Sequence, residues 1–148
     1  MTIYIEKKSY KSFLSPRALD SFQITSILLL IKYSTSGRAS YIYLDKLYFL
    51  FDLMICDQEF VGFPKFTIPP WNVDKELKYK LIILIKNNLI AQSYDGNKVR
   101  YSLTDEGMQK IDEIENIEEF SVINEKAKKL AVLVTTTMFE KSRVIFNV

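Results

Sequence analysis

The chain has 148 residues, 48% of them hydrophobic and 14% aromatic, with only four glycines and four prolines. A chain of this size buries roughly 70% of its unfolded surface, and this one is too apolar to read as disordered. It carries a net charge of +2, one cysteine and no histidine, which excludes Ser-His-Asp and Cys-His nucleophiles, His-containing zinc sites and an internal disulfide. Gly-rich phosphate loops, acidic metal-loop spacings and nucleophile elbows are also missing from the sequence, so no catalytic centre, metal or cofactor is expected.

Residues 1–16 read as an N-terminal arm in which TIYIE alternates, without the apolar core of a secretory signal. No later segment reaches the roughly 18 apolar residues that span a bilayer, and a soluble, cytoplasmic protein with no membrane partner is expected. Ser15-Pro16 signals helix entry. From Arg17 to about Thr35 the residues Leu19, Phe22, Ile24, Ile27, Leu28, Leu30 and Ile31 recur at three- and four-residue spacing, predicting a helix with one wide buried face that stops at Ser36-Gly37. A short extended piece, Ser40 to Tyr43, leads to a second helix from Leu44 to about Cys56. Its Leu47, Tyr48, Leu50, Phe51, Met54 and Ile55 surround the axis and predict burial on more than one side. Cys56 reads as core packing, with a reactive thiol as the alternative.

Residues 57–72 hold three prolines and a glycine and break every period, so they read as a loop that is packed or functional. Its aromatics Phe60, Phe63, Phe66 and Trp71 either fold over the core or anchor a partner, since Trp and Phe are enriched at interfaces. A third helix runs from an Asn72 cap to about Asn88, with Leu77, Leu81, Leu84 and Ile85 on one face and Lys75, Lys78 and Lys86 near the other. Two extended runs, Ile90 to Tyr94 and Lys98 to Leu103, flank Asp95-Gly96-Asn97, a hairpin signal. Thr104 caps a fourth helix whose first turn carries Asp105 and Glu106, where the helix dipole favours negative charge. A final helix, about Glu118 to Phe139, carries Val122, Ala127, Leu130, Leu133, Val134 and Met138.

Charge is uneven along the chain. Asp105 to Glu119 carries −6 and the remainder +8, a pointer toward an anionic partner for the first two-thirds.

Helix, short strand, helix, helix and hairpin is the order of a winged helix. The stretch NNLIAQSYDGNKVRYSLTDEG resembles the third helix and wing of MarR and PadR regulators, with Tyr101, Leu103, Thr104 and Gly107 in the matching places. Tyr101 and Leu103 share one strand face, and Thr104 caps the next helix. The expected fold is α+β, mainly α: a winged helix-turn-helix with a two- or three-stranded wing sheet at 17–104, and a C-terminal helical extension at 105–148 packed on it as one domain. The resemblance implies a DNA reader whose third helix enters the major groove, with Lys75, Lys78, Tyr79 and Lys86 on the helix and Asn97, Lys98 and Arg100 on the wing.

The opening helices, SFQITSILLLIKYSTSG and LDKLYFLFDLM, resemble the small middle components of bacterial ABC-three-component systems, including Lamassu-type antiphage complexes. That resemblance implies a non-enzymatic subunit that partners a large SMC-like ATPase, an effector, or both. This is the first expectation for function, with Phe60, Phe63, Phe66 and Trp71 as partner-binding residues. The alternative is a DNA-binding regulator that forms a homodimer through its last helix.

Overall fold

The structure, a computed structural model, describes residues 20–37, 39–55, 66–67, 75–135 and 143–144. The N-terminal arm, Ser15-Pro16, Cys56, Phe60, Phe63, Trp71, Asn72 and Met138 lie outside these residues. The described part is α+β and mainly α, in the order α1 (Asp20–Ser34), β1 (Ile42–Tyr43), α2 (Leu44–Ile55), β2 (Phe66–Thr67), α3 (Lys75–Lys86), β3 (Ile90–Asp95), β4 (Lys98–Leu103), α4 (Asp105–Glu115), a 3₁₀ turn (Glu118–Phe120), α5 (Ser121–Leu133) and β5 (Arg143–Val144).

Helix α1 is the centre of the molecule. Seven consecutive residues, Thr25 to Ile31, are buried, where the sequence predicts only one wide buried face. The reason is that α1 is packed from several sides at once, by α2, α4, α5 and β4. A helix surrounded in this way must be apolar all round or satisfy its polar groups internally. Ser26 does the latter, donating its hydroxyl to the Phe22 carbonyl at 2.8 Å. Tyr33 at the far end donates to Asn124 of α5 at 2.5 Å, and Lys32 pairs with Glu115 of α4.

Helix α2 buries Leu47, Leu50, Phe51 and Met54 at helical spacing, with Tyr48, Phe49, Leu53 and Ile55 packed partly against the core. α3 buries Leu77, Leu81 and Leu84. Ile85, expected on that face, is only partly buried, and the fourth buried position is Lys80, whose ammonium reaches Glu76 at 3.2 Å and Asp20 at 3.6 Å.

The larger sheet has the order β1-β4-β3 and is antiparallel throughout, with Ile42 opposite Tyr101 and Gln92 opposite Tyr101 on the other side. The strands alternate as a half-buried sheet should. Ile42 and Tyr101 face the core, with Val99 and Leu103 partly buried beside them, and Lys98 and Arg100 point to the other face. The hairpin differs by one residue from the expected turn. Asp95 pairs with Lys98, so the loop is Gly96-Asn97 with a positive φ at Gly96 and none at Asn97, the pattern of a type II′ turn, which takes glycine first. The stretch 57–72, expected as loop, contributes β2, which pairs in parallel with β5 from the far end of the chain. Two-residue strands carry no readable period, and no local signal announces a partner so distant.

The junction from α3 to α4 explains the NNLI and YSLTDEG segments together. Asn88 takes a left-handed conformation (φ 59°), Leu89 N–H donates to the Leu84 carbonyl and Asn88 N–H to Ile85, each at 3.0 Å. This is a Schellman cap with asparagine in the glycine position. Thr104 then ties the far side of the hairpin to this cap. Its hydroxyl donates to the Asn88 carbonyl at 2.6 Å and accepts from Gly107 N–H at 3.0 Å, and its own N–H donates to the Leu89 carbonyl at 3.2 Å. Gly107 is required because a Cβ there would lie 2.0 Å from that same carbonyl oxygen.

The last helix is shorter than expected at its start, where residues 118–120 form a 3₁₀ turn, and it ends at Leu133. It buries Ile123, Ala127 and Leu130, with Val134 buried just beyond. Val122 and Leu133 are turned outward at 76% and 40% exposure. At 100° per residue they lie well away from the Ile123–Ala127–Leu130 stripe that meets α1 and α2.

Candidate interaction surface

The residues of α3 divide cleanly. With Leu77, Lys80, Leu81 and Leu84 inward, the 3.6-residue period places Lys75, Tyr79, Ile82 and Lys86 in one stripe opposite the core, with Lys78 beside it. All five are exposed, Tyr79 at 62% and Ile82 at 49%. The stripe thus has an aromatic and an aliphatic side chain at its middle and a cation at each end. Lys75, Lys78 and Lys86 are exposed on the outer side of α3 with Tyr79. Ile82 is an addition to that set, and the LIILI run, which extends beyond one face, is the signal for it.

The wing candidates form a second group. Asn97 and Lys98 are exposed at the hairpin tip, and Arg100 is half-buried. Arg100 is engaged within the fold: its guanidinium stacks 3.9 Å from the centre of the Tyr41 ring, and its Nε donates to Ser93 at 2.9 Å. Lys98 lies 5.4 Å from the centre of the Tyr43 ring, and the Tyr43 hydroxyl donates to Asp95 at 2.7 Å. That hydrogen bond to a carboxylate raises the Tyr43 phenol above its ordinary value. The outer sheet face is therefore a set of paired cations, tyrosines and one carboxylate. The YIY alternation at residues 41–43 is the sequence signal for it, since two tyrosines flanking a buried isoleucine must share the other face.

Of the predicted aromatic anchors, Phe66 lies in β2, and Phe60, Phe63 and Trp71 lie outside the described residues. Lys46 and Lys80 are buried with no local signal in the sequence. Lys46 is 4% exposed on α2, and burial pulls its ammonium below the usual lysine range. Burial also pushes the Tyr101 phenol up to about 12. Among the described residues no group of three or more His, Cys, Asp or Glu side chains is placed to hold a metal ion, and no helix is long and apolar enough to cross a membrane.

The acidic segment forms its own surface. On α4, Ile111 and Ile114 face the core, leaving Asp105, Met108 and Asp112 outward on one side, with exposed Ile117, Glu118 and Glu119 beyond them. Compared with family models, with curated proteins and with solved structures, the chain has no match.

Proposed function

We propose that the chain is a non-enzymatic winged-helix interaction subunit that docks on a protein partner within a larger assembly. The element order and the β1-β4-β3 sheet support the winged-helix reading. The observation that carries the docking role is the outward stripe of α3, where exposed Tyr79 and Ile82 sit between Lys75 and Lys86. An apolar, aromatic centre with a charged rim is the anatomy of a protein interface, and tyrosine is over-represented among residues that dominate binding energy. The exposed Val122, Val132 and Leu133 of α5 add apolar surface that a subunit enclosed in an assembly would cover. The likeness of the first two helices to ABC-three-component middle components makes an SMC-like ATPase complex of antiphage defence the first partner to test. The test is affinity purification of the tagged chain from its native host after nuclease treatment. Stoichiometric recovery of a large ATPase with wild type, and its loss with Tyr79→Ser/Ile82→Ser, is the expected result; recovery of the chain alone refutes the reading.

A DNA-reading role is the second reading, favoured by Lys75, Lys78 and Lys86 lying together on α3 beside a hairpin bearing Lys98. Binding carried by about four such cations would weaken with salt at a log-log slope of roughly −3 to −4. Duplex binding without that slope, or none at low salt, removes this reading.

A further inference from the structure

We infer that the outward stripe of α3 also binds a second copy of this chain, head to tail, on the acidic stripe of α4. The two surfaces are complementary in sign, and each has an exposed apolar side chain among its charges. α3 carries +3 and residues 105–119 carry −6. Lys75 and Lys86 bracket Tyr79 and Ile82 along about 16 Å of helix. On α4, exposed Asp105, Met108 and Asp112 lie on one side along about 10 Å, while Glu115 beyond them is paired with Lys32 of α1. A side-by-side approach of the two helices sets the α3 cations toward Asp105 and Asp112 while Met108 covers Tyr79 and Ile82. Neither Lys75 nor Lys86 takes part in an ion pair among the described residues.

The contact joins two different surfaces, so it leaves a free α3 on one copy and a free α4 on the other. A contact of that kind propagates beyond a dimer unless its rotation closes a ring. A single pair of short helices falls below the roughly 1,000 Å² of a stable interface, so the association is weak, appears at high concentration, and is screened by salt. It uses the face assigned above to the protein partner, so partner and second copy compete. Self-association is measured without any partner, however, and its failure is distinguishable from failure of the docking role.

The experiment is sedimentation velocity of the full chain across a concentration series at low and high salt. It compares wild type, an acidic variant (Lys75→Glu/Lys86→Glu), a basic variant (Asp105→Lys/Asp112→Lys) and their equimolar mixture. Circular dichroism checks that each variant is folded. Wild type is expected to sediment faster with concentration at low salt only, each variant alone to stay monomeric, and the mixture to regain association because each variant then meets an opposite charge. Wild type that remains monomeric at low salt overturns the inference, as do variants that associate like wild type or a mixture that stays monomeric. Duplex DNA binding that depends on Lys75 and Lys86 in a wild-type chain that stays monomeric assigns the stripe to nucleic acid and likewise overturns it.

Discussion

Replacing Gly107 by alanine tests the account of the α3–α4 junction directly. Gly107 is the third residue of α4, and in an ordinary helix the change to alanine stabilises by about 1 kcal/mol. Here the new Cβ would sit 2.0 Å from the Leu89 carbonyl oxygen, 3.1 Å from its carbon and 3.4 Å from Leu103 Cδ2. The carbonyl must retreat by more than an ångström. It is held, however, by the Thr104 N–H at 3.2 Å, while the Leu89 N–H is held by Leu84 at 3.0 Å. Overpacking of this kind costs about 1–3 kcal/mol, and breaking the Thr104 amide bond adds about 1–3 kcal/mol if the donor finds no substitute. Set against the helix gain, the net destabilisation is about 1–5 kcal/mol, equivalent to a fall in Tm of roughly 2–20 °C for a domain of this size. Urea unfolding followed by circular dichroism measures it, with Gly37→Ala as control because no atom lies within 4 Å of a Cβ built there. A Gly107→Ala chain as stable as wild type would show that the carbonyl contact is not a constraint, and the explanation of the YSLTDEG segment would fail.

Other expectations rest on the same structure. Thr104→Ala removes a cap that bridges Asn88 and Gly107 and should cost about 1 kcal/mol, read as a lower urea midpoint at unchanged slope. Leu30→Ala, at a position with no exposure in the central helix, should cost about 2–5 kcal/mol; a loss under about 1 kcal/mol in the same assay would contradict the central placement of α1. Tyr101 keeps its proton to about 12 in the fold, whereas its ordinary value is 10.0. The native state therefore binds more protons than the unfolded chain in that interval. This stability is fully present below about pH 10 and is lost as pH rises toward 12, by up to about 1.4 kcal/mol per pH unit. Tyr101→Phe should flatten alkaline unfolding over this window, and an unchanged profile would remove Tyr101 as the cause. Tyr79→Ser/Ile82→Ser should leave stability within about 0.5 kcal/mol, as exposed positions do, which separates loss of a partner from loss of fold in the pull-down.

The features legible in the sequence are those whose causes lie within a few residues. Thr104 with Asp105 and Glu106 starts a helix because the chain's own first turn needs acceptors and negative charge. The β3–β4 hairpin comes from glycine at a turn between two alternating runs, although register moves the loop from Asp-Gly to Gly-Asn. Lys75, Lys78, Lys86 and Tyr79 of α3 face outward because Leu77, Leu81 and Leu84 define the inward face by spacing alone. What each helix face meets is not legible. Val122 and Leu133 look like core residues by composition and face outward because α1 and α2 approach α5 from another direction. Lys46 and Lys80 look like surface residues and are buried. Ile82 belongs to a candidate surface only because, among the described residues, nothing packs over the middle of α3's outer face.

The sequence by itself determined the order of the helices with β1, β3 and β4, the Thr104 cap, the place of the hairpin turn and the absence of histidine chemistry, since all of these depend on residue type and short-range geometry. Tertiary structure alone decided that α1 is enclosed along seven consecutive residues, that β1 pairs with β4 and β2 with β5, and that basic α3 and acidic α4 present separate outward stripes. The physical reason is that burial depends on how many neighbours arrive and from which sides, and those neighbours come from parts of the chain that local periodicity does not see.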